Sequence, residues 1–144
     1  MEKMVQQLKG EFWMNFNEYQ KKSFSAIQGH NDNKEEVMHW AIGLGEECGE
    51  ALSVIKHKYY AGSYDPIDLV EELGDLLWYL AALCTASGFD FEDVAAFNIA
   101  KMEFRYPKGD FDEQRSKDRH SLKYSDEWQN IVERFRKIIT EEKR

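Results

Sequence analysis

Residues 44–52 read LGEECGEAL, and residues 70–78 read VEELGDLLW. Each stretch sets acids into an apolar, helical pattern: Glu46, Glu47 and Glu50 in the first, Glu71, Glu72 and Asp75 in the second. With about 100° per residue, Glu50 falls about 40° and Glu47 about 100° from Glu46, so the three share one helical face. Val37, Ala41, Leu44, Cys48, Ala51 and Ile55 fall roughly opposite and form the expected core face. The second stretch repeats the arrangement, with Leu69, Leu73, Leu76, Leu77 and Leu80 across from the acids. Apolar residues recur at three and four rather than at two, and the chain holds only two prolines, so the expected class is all-α.

Working outward, helix signals predict a bundle of four to five helices. A first helix runs through FNEYQKKSFSAI (residues 16–27), with Phe16, Tyr19 and Ile27 turned inward. A second starts near Asn33, carries Glu35 and Glu36 at the positive end of its dipole, and continues to about Tyr60, where Gly62 stops it. Asp65 caps a third helix that Pro66 opens and Gly88 ends. Asp90 caps a fourth, from Phe91 to about Arg105, which Pro107 stops. After Ser125, a last amphipathic helix aligns Trp128, Ile131, Val132, Phe135, Ile138 and Ile139 in a stripe that must pack on its own bundle or on a second subunit. The chain thus divides into a helical bundle over residues 1–107, a polar loop or arm over residues 108–124, and a C-terminal helix over residues 125–144.

A length of 144 residues suits one domain with one core. Hydrophobic residues at 42% supply that core, and a charged content of 32% points to a soluble protein. The net charge of −8 argues against a nucleic-acid polymer or a membrane surface as partner, because an acidic face repels both. Cys48 and Cys84 lack metal-type spacing and read as small, reduced core residues, and Trp13, Trp40 and Trp78 also read as core. No apolar run has signal-peptide or membrane-span length, and a cytoplasmic location is expected.

An acidic helical run has two readings, a solvated face or a cation site. Three features favour the cation here. Neither cluster contains Lys or Arg, although like charges one turn apart cost about 0.2–0.5 kcal/mol per pair. Gly43, Gly45, Gly49 and Gly74 interrupt the two helices, each at roughly 1 kcal/mol against alanine, which points to close approach of a backbone or a ligand. A short turn joins the helices, so an antiparallel pair turns both acidic faces towards one space. The donors are hard oxygens, which suit Mg²⁺ or Mn²⁺ rather than zinc, and magnesium shares itself with phosphates. A phosphate ester is then the natural substrate class and metal-assisted hydrolysis the natural reaction.

EECGE followed by ELGD (Glu72 to Asp75) resembles the signature of the all-α MazG-like nucleoside triphosphate pyrophosphohydrolases, Glu-Glu-x-x-Glu and then Glu-x-x-Asp some twenty residues on. FNEYQ, KHKYYAG and NIAKMEFRYPKGDF resemble segments of the short, often phage-encoded members, which carries the likeness over roughly residues 12–120. The resemblance implies a helical bundle, active as a homodimer or homotetramer, that holds Mg²⁺ and cleaves a nucleoside triphosphate to the monophosphate and pyrophosphate. By motif position it implies Glu47, Glu50, Glu72 and Asp75 as metal ligands. Glu71 would stand behind them, and Glu46 would either do the same or orient the attacking water, which makes Glu46 and Glu47 the catalytic candidates.

The resemblance also implies that Tyr79, one turn beyond Asp75, reaches the nucleotide, and that Asn98, Lys101 and Arg105 of the "N..K...RYP" pattern bind the triphosphate. His39 and His57 share the acidic face by wheel position, and Lys56 and Lys58 close the second helix. After RYP the chain departs from the usual form: KGDFDEQRSKDR carries an extra residue and places Asp118 where asparagine is common, which weakens any transfer to Arg115, Ser116 and Arg119. Two alternatives stand beside this reading: cleavage of another pyrophosphate linkage, such as that of phosphoribosyl-ATP, and a non-catalytic nucleotide sensor or dimeric interaction module.

Overall fold

The structure, a computed structural model, describes residue 10, residues 13–25 and residues 33–141. Among these residues every regular element is helical and no strand forms, as the periodicity predicts. The helices are α1 (Phe16–Ser25), α2 (Asn33–Lys56), α3 (Pro66–Ser87), α4 (Phe91–Arg105), α5 (Glu113–Lys117), α6 (Arg119–Leu122) and α7 (Asp126–Glu141), and a π-helical turn, His57–Ala61, extends α2. Seven α-helices among the described residues exceed the expected four to five, because α5 and α6, of 5 and 4 residues, form within the stretch read as a loop or arm. Helices that short carry no periodic apolar stripe to betray them. No helix among the described residues is long and apolar enough to cross a membrane.

The chain forms two compact units, residues 1–91 and residues 92–144. In the first, local chemistry sets the helix ends. Asn15 and Glu18 form a reciprocal capping box at the start of α1: the Glu18 amide donates to Asn15 Oδ1 at 2.8 Å and the Asn15 amide to Glu18 Oε2 at 3.0 Å. Asp65 accepts from the Ile67 amide at 3.0 Å with Pro66 at the first position of α3, as the sequence predicts. At the other end Gly88 takes a left-handed φ of 72°, and the amides of Gly88 and Phe89 close on the carbonyls of Thr85 and Cys84. Gly62, at φ 70°, likewise ends the π-helical turn.

α2 and α3 pair in antiparallel fashion: Trp40 meets Trp78 and Tyr79, Gly43 meets Tyr79, and Glu50 meets Glu72, so partner numbers fall as α2 advances. The packed stripe of α2 contains Trp40, Gly43 and Ala51, with Val37, Leu44, Glu47 and Val54 half-buried. This corrects the expected core face, because Ala41, Cys48 and Ile55 are exposed. On α3 the buried residues are Ala81, Ala82 and Cys84, while Leu73 and Leu77 are exposed. The tilt has a physical origin. Bulky Trp40 and the ring of Tyr79 claim the helix interface, rotating Glu47 to its edge and Cys48 out to solvent. Trp13, expected in the core, is 84% exposed, and Ile27 lies outside the described residues.

Gln20, buried on α1, ties that helix to the end of α3 and the segment after it. Gln20 Nε2 donates to Thr85 Oγ1 at 3.0 Å and to the Phe89 carbonyl at 2.8 Å, while its Oε1 accepts from the Phe91 amide at 2.8 Å. The Phe16 ring meets Phe91 edge-on, 5.0 Å between centroids.

In the second unit, α7 packs on α4 of its own chain. Phe97 lies 5.6 Å from Trp128 and 5.0 Å from Phe135, and Phe104 lies 5.5 Å from Trp128, so the stripe predicted for the tail helix finds an intrachain partner. Ser125 Oγ accepts from the Trp128 amide at 3.3 Å, as expected of a cap. Arg115 closes the end of α4, donating through Nε to the Arg105 carbonyl at 2.6 Å and through its terminal nitrogen to that of Phe104 at 2.7 Å.

Replacing Gln20 by Met keeps the volume but removes both bonds that Gln20 donates and takes the Gln20 acceptor away from the buried Phe91 amide. The Gln20→Met protein is expected to lose about 2–4 kcal/mol of stability in urea denaturation; an unchanged midpoint and slope would remove Gln20 as the clamp.

Candidate metal centre

The pairing of α2 with α3 decides which acids meet. One carboxylate oxygen each from Glu47, Glu50 and Glu72 lies within 4.8 Å of the other two. Asp75 is outside that set of three, yet its charge acts on both Glu47 and Glu72. Glu46 and Glu71 are exposed, and each acts on its neighbour, Glu46 on Glu47 and Glu71 on Glu72. No lysine, arginine or histidine among the described residues stands within ion-pair distance of Glu47, Glu50, Glu72 or Asp75.

The electrostatic consequence is a cluster that resists ionisation. Partial burial pushes the Glu47 carboxyl above the usual carboxylate range, and the charges of Glu50, Asp75, Glu72 and Glu46 push it further. Glu72 rises for the same reasons, first desolvation and then Glu50, Asp75, Glu71 and Asp68. Such a set is a poor solvated face, since no basic side chain among the described residues balances it. It is a suitable cradle for a hard divalent cation, which takes several carboxylate oxygens and would relieve the repulsion.

Two tyrosines border the cluster. The Tyr79 phenol is raised by desolvation and by Glu47, Glu46, Asp75 and Glu50, so it stays a protonated hydrogen-bond donor. Tyr19 of α1 is raised by desolvation and by Asp75. The sequence marks Tyr19 only as inward-facing, because its proximity to Asp75 depends on how α1 docks. Behind Tyr79 lies an aromatic group: Trp40 and Trp78 are 5.4 Å apart, Trp78 and Tyr79 5.0 Å, and His39 packs edge-on to Trp40 at 4.6 Å.

Other expected residues fall elsewhere. His57 sits in the π-helical turn and, with Tyr64, Asp65 and Asp68, lines a cavity at the tip of the α2–α3 hairpin. The Lys58 ammonium lies 4.4 Å from the Tyr64 ring centroid. Asn98, Lys101 and Arg105 belong to the second unit, where Asn98 is exposed and the other two are half-buried. Arg115 is committed to the carbonyls at the end of α4 and so serves the fold.

The class that the fold and the site define is an all-α hairpin on which carboxylates of two helices, Glu47, Glu50 and Glu72, converge. Residues 35–109, more than half of the 144-residue chain, match the MazG nucleotide pyrophosphohydrolase domain. The chain belongs to that family, and at the family level it is a nucleotide pyrophosphohydrolase. No match was found among the curated proteins or among the solved structures.

The raised carboxyls fix the sign of a pH effect. Native Glu47 and Glu72 hold protons that the unfolded chain has already released, so their contribution to stability is full below the ordinary carboxylate pKa and is lost as pH rises through the raised native values. Metal-free Glu72→Gln protein is therefore expected to melt above the wild type at neutral pH, with the gap closing in acid, and to gain less from added Mg²⁺. Thermal melts with chelator and with Mg²⁺ check this; a lower melting temperature for the metal-free variant at neutral pH would contradict it.

Proposed function

We propose that this chain is a Mg²⁺-dependent nucleoside triphosphate pyrophosphohydrolase that converts a (d)NTP to the (d)NMP and pyrophosphate. The observation that carries the reading is the convergence of Glu47, Glu50 and Glu72, with no basic partner among the described residues, in a chain of this family. Glu47, Glu50, Glu72 and Asp75 would hold the ion, with Mn²⁺ as a substitute. When bound, the ion supplies positive charge that polarises phosphate oxygens and acidifies water.

The chain's own residues do the rest. Glu46, exposed beside the ion-holding Glu47, orients the attacking water and helps to take up its proton. The water oxygen bonds to the α-phosphorus, the bond from that phosphorus to the α,β-bridging oxygen breaks, and pyrophosphate leaves with the electron pair. Tyr79 donates its phenolic hydrogen to the nucleotide. Asn98, Lys101 and Arg105, within an arc of about 60° on α4, are proposed as triphosphate-binding residues on the family pattern alone. The catalytic part runs to residue 107, with the helix of residues 125–144 as an addition, and a cytoplasmic nucleotide pool would supply the substrate.

A self-associated form belongs to this reading. Met38, Ile42, Gly45, Gly49 and Leu52 fall on one stripe of α2, all exposed in the single chain, and Val70, Leu73 and Leu77 are exposed on α3. Gly45 and Gly49 meet nothing within 4 Å, which leaves room for a second helix to approach closely. A second copy of the chain would cover this surface, as a homodimer or a homotetramer.

Incubation with a panel of NTPs and dNTPs in Mg²⁺ should release pyrophosphate, and Glu72→Gln should lower the rate at least about a hundredfold while keeping helicity. Nucleotide binding without release would favour a sensor instead, and full activity in Glu72→Gln would remove that residue from the site. Leu52→Glu is expected to shift the wild-type oligomer to monomer in light scattering; a wild type that is itself monomeric would contradict the association.

A further inference from the structure

Of the glycines in the acidic helices, Gly45, Gly49 and Gly74 face open space, whereas Gly43 is covered by a side chain. A Cβ at position 43 would overlap the edge of the Tyr79 ring at Cε1, lying 2.6 Å from Cδ1 and 2.7 Å from Cζ. Any residue but glycine would force the ring away, because real Cβ contacts do not come so close. On two further sides the ring has aromatic neighbours. Trp78 holds it at 5.0 Å edge-on and Trp40 at 6.0 Å, and Trp40 is itself buried.

This seat decides where the phenol ends. Gly43 lies one turn before Glu46 and Glu47 on α2, and Tyr79 lies one turn after Asp75 on α3, so a ring resting on Gly43 spans the two acidic helices beside their carboxylates. The interface could be filled by a smaller side chain over an alanine, the better helix former. The chain instead keeps a glycine and a large ring with a polar tip at the rim of the cluster.

We infer that Gly43 is a positioning residue: its missing side chain forms the seat that holds the Tyr79 hydroxyl where it contacts the nucleotide. This rests on the functional reading above in taking the ligand to be a nucleotide at the acidic cluster and the Tyr79 hydroxyl to be one of its contacts.

The test is a double-mutant cycle read by binding rather than turnover, using calorimetry with the four α,β-imido deoxynucleoside triphosphates and Mg²⁺. Tyr79→Phe removes the hydroxyl and leaves the ring seated; it should weaken binding about tenfold with an unchanged melting temperature. Gly43→Ala should weaken binding by a similar factor and also lower the melting temperature. The double variant Gly43→Ala/Tyr79→Phe should bind no more weakly than Tyr79→Phe alone, because the hydroxyl is lost once. Gly43→Ala/Tyr79→Leu, which relieves the overlap, should regain the melting temperature without regaining affinity.

Wild-type affinity in Gly43→Ala, multiplying effects in the cycle, or no analogue binding by the wild type would overturn the inference. Binding with this pattern but without pyrophosphate release from dNTPs would leave the seat standing and defeat the proposed hydrolysis.

Discussion

Repulsion between Glu47, Glu50 and Glu72 is the constraint around which the first unit is arranged. Helix pairing holds their oxygens within 4.8 Å of one another, partial burial withdraws some of the water that would screen them, and no basic side chain among the described residues pairs with them. A fold keeps like charges together only when packing elsewhere outweighs the cost. Here the opposing forces are identifiable. Trp40, Trp78 and Tyr79 bury aromatic surface between α2 and α3, and Gln20 ties α1 to the turn after α3 through three hydrogen bonds. The cluster is thus held together by packing within the chain, and on the proposed reading an ion would meet oxygens already brought together.

The same arrangement explains the uneven use of glycine along the two helices. Gly43 gives way to a ring within the chain, while Gly45 and Gly49 stay uncovered among exposed apolar residues. One face of α2 therefore serves the interior of the hairpin and a second face is left smooth and apolar. The acids lie between these faces, where they are partly desolvated without being sealed.

Much of this was legible in the sequence because it depends on local chemistry. Asp65 with Pro66, Gly62, Gly88 and Ser125 act through their own backbone neighbours, and each ends or starts a helix where its residue type requires. The acidic spacing needed only the helical repeat to bring Glu47 and Glu50 to one side, and a short turn to bring Glu72 across from them. What escaped depends on tertiary packing. A wheel drawn from hydrophobicity placed Cys48 inside, but the sizes of Trp40 and Tyr79 set the rotation of α2 and left it exposed. The closeness of Tyr19 to Asp75 follows from the docking of α1, and the short helices α5 and α6 are too brief to show a period.

The central claim is that the carboxylates of α2 and α3 share one divalent ion. Anomalous diffraction from crystals soaked in Mn²⁺ tests it most directly. The account predicts a manganese peak bonded to oxygens of Glu47, Glu50 and Glu72. A map with no peak there, with those side chains turned apart and hydrated, would contradict it.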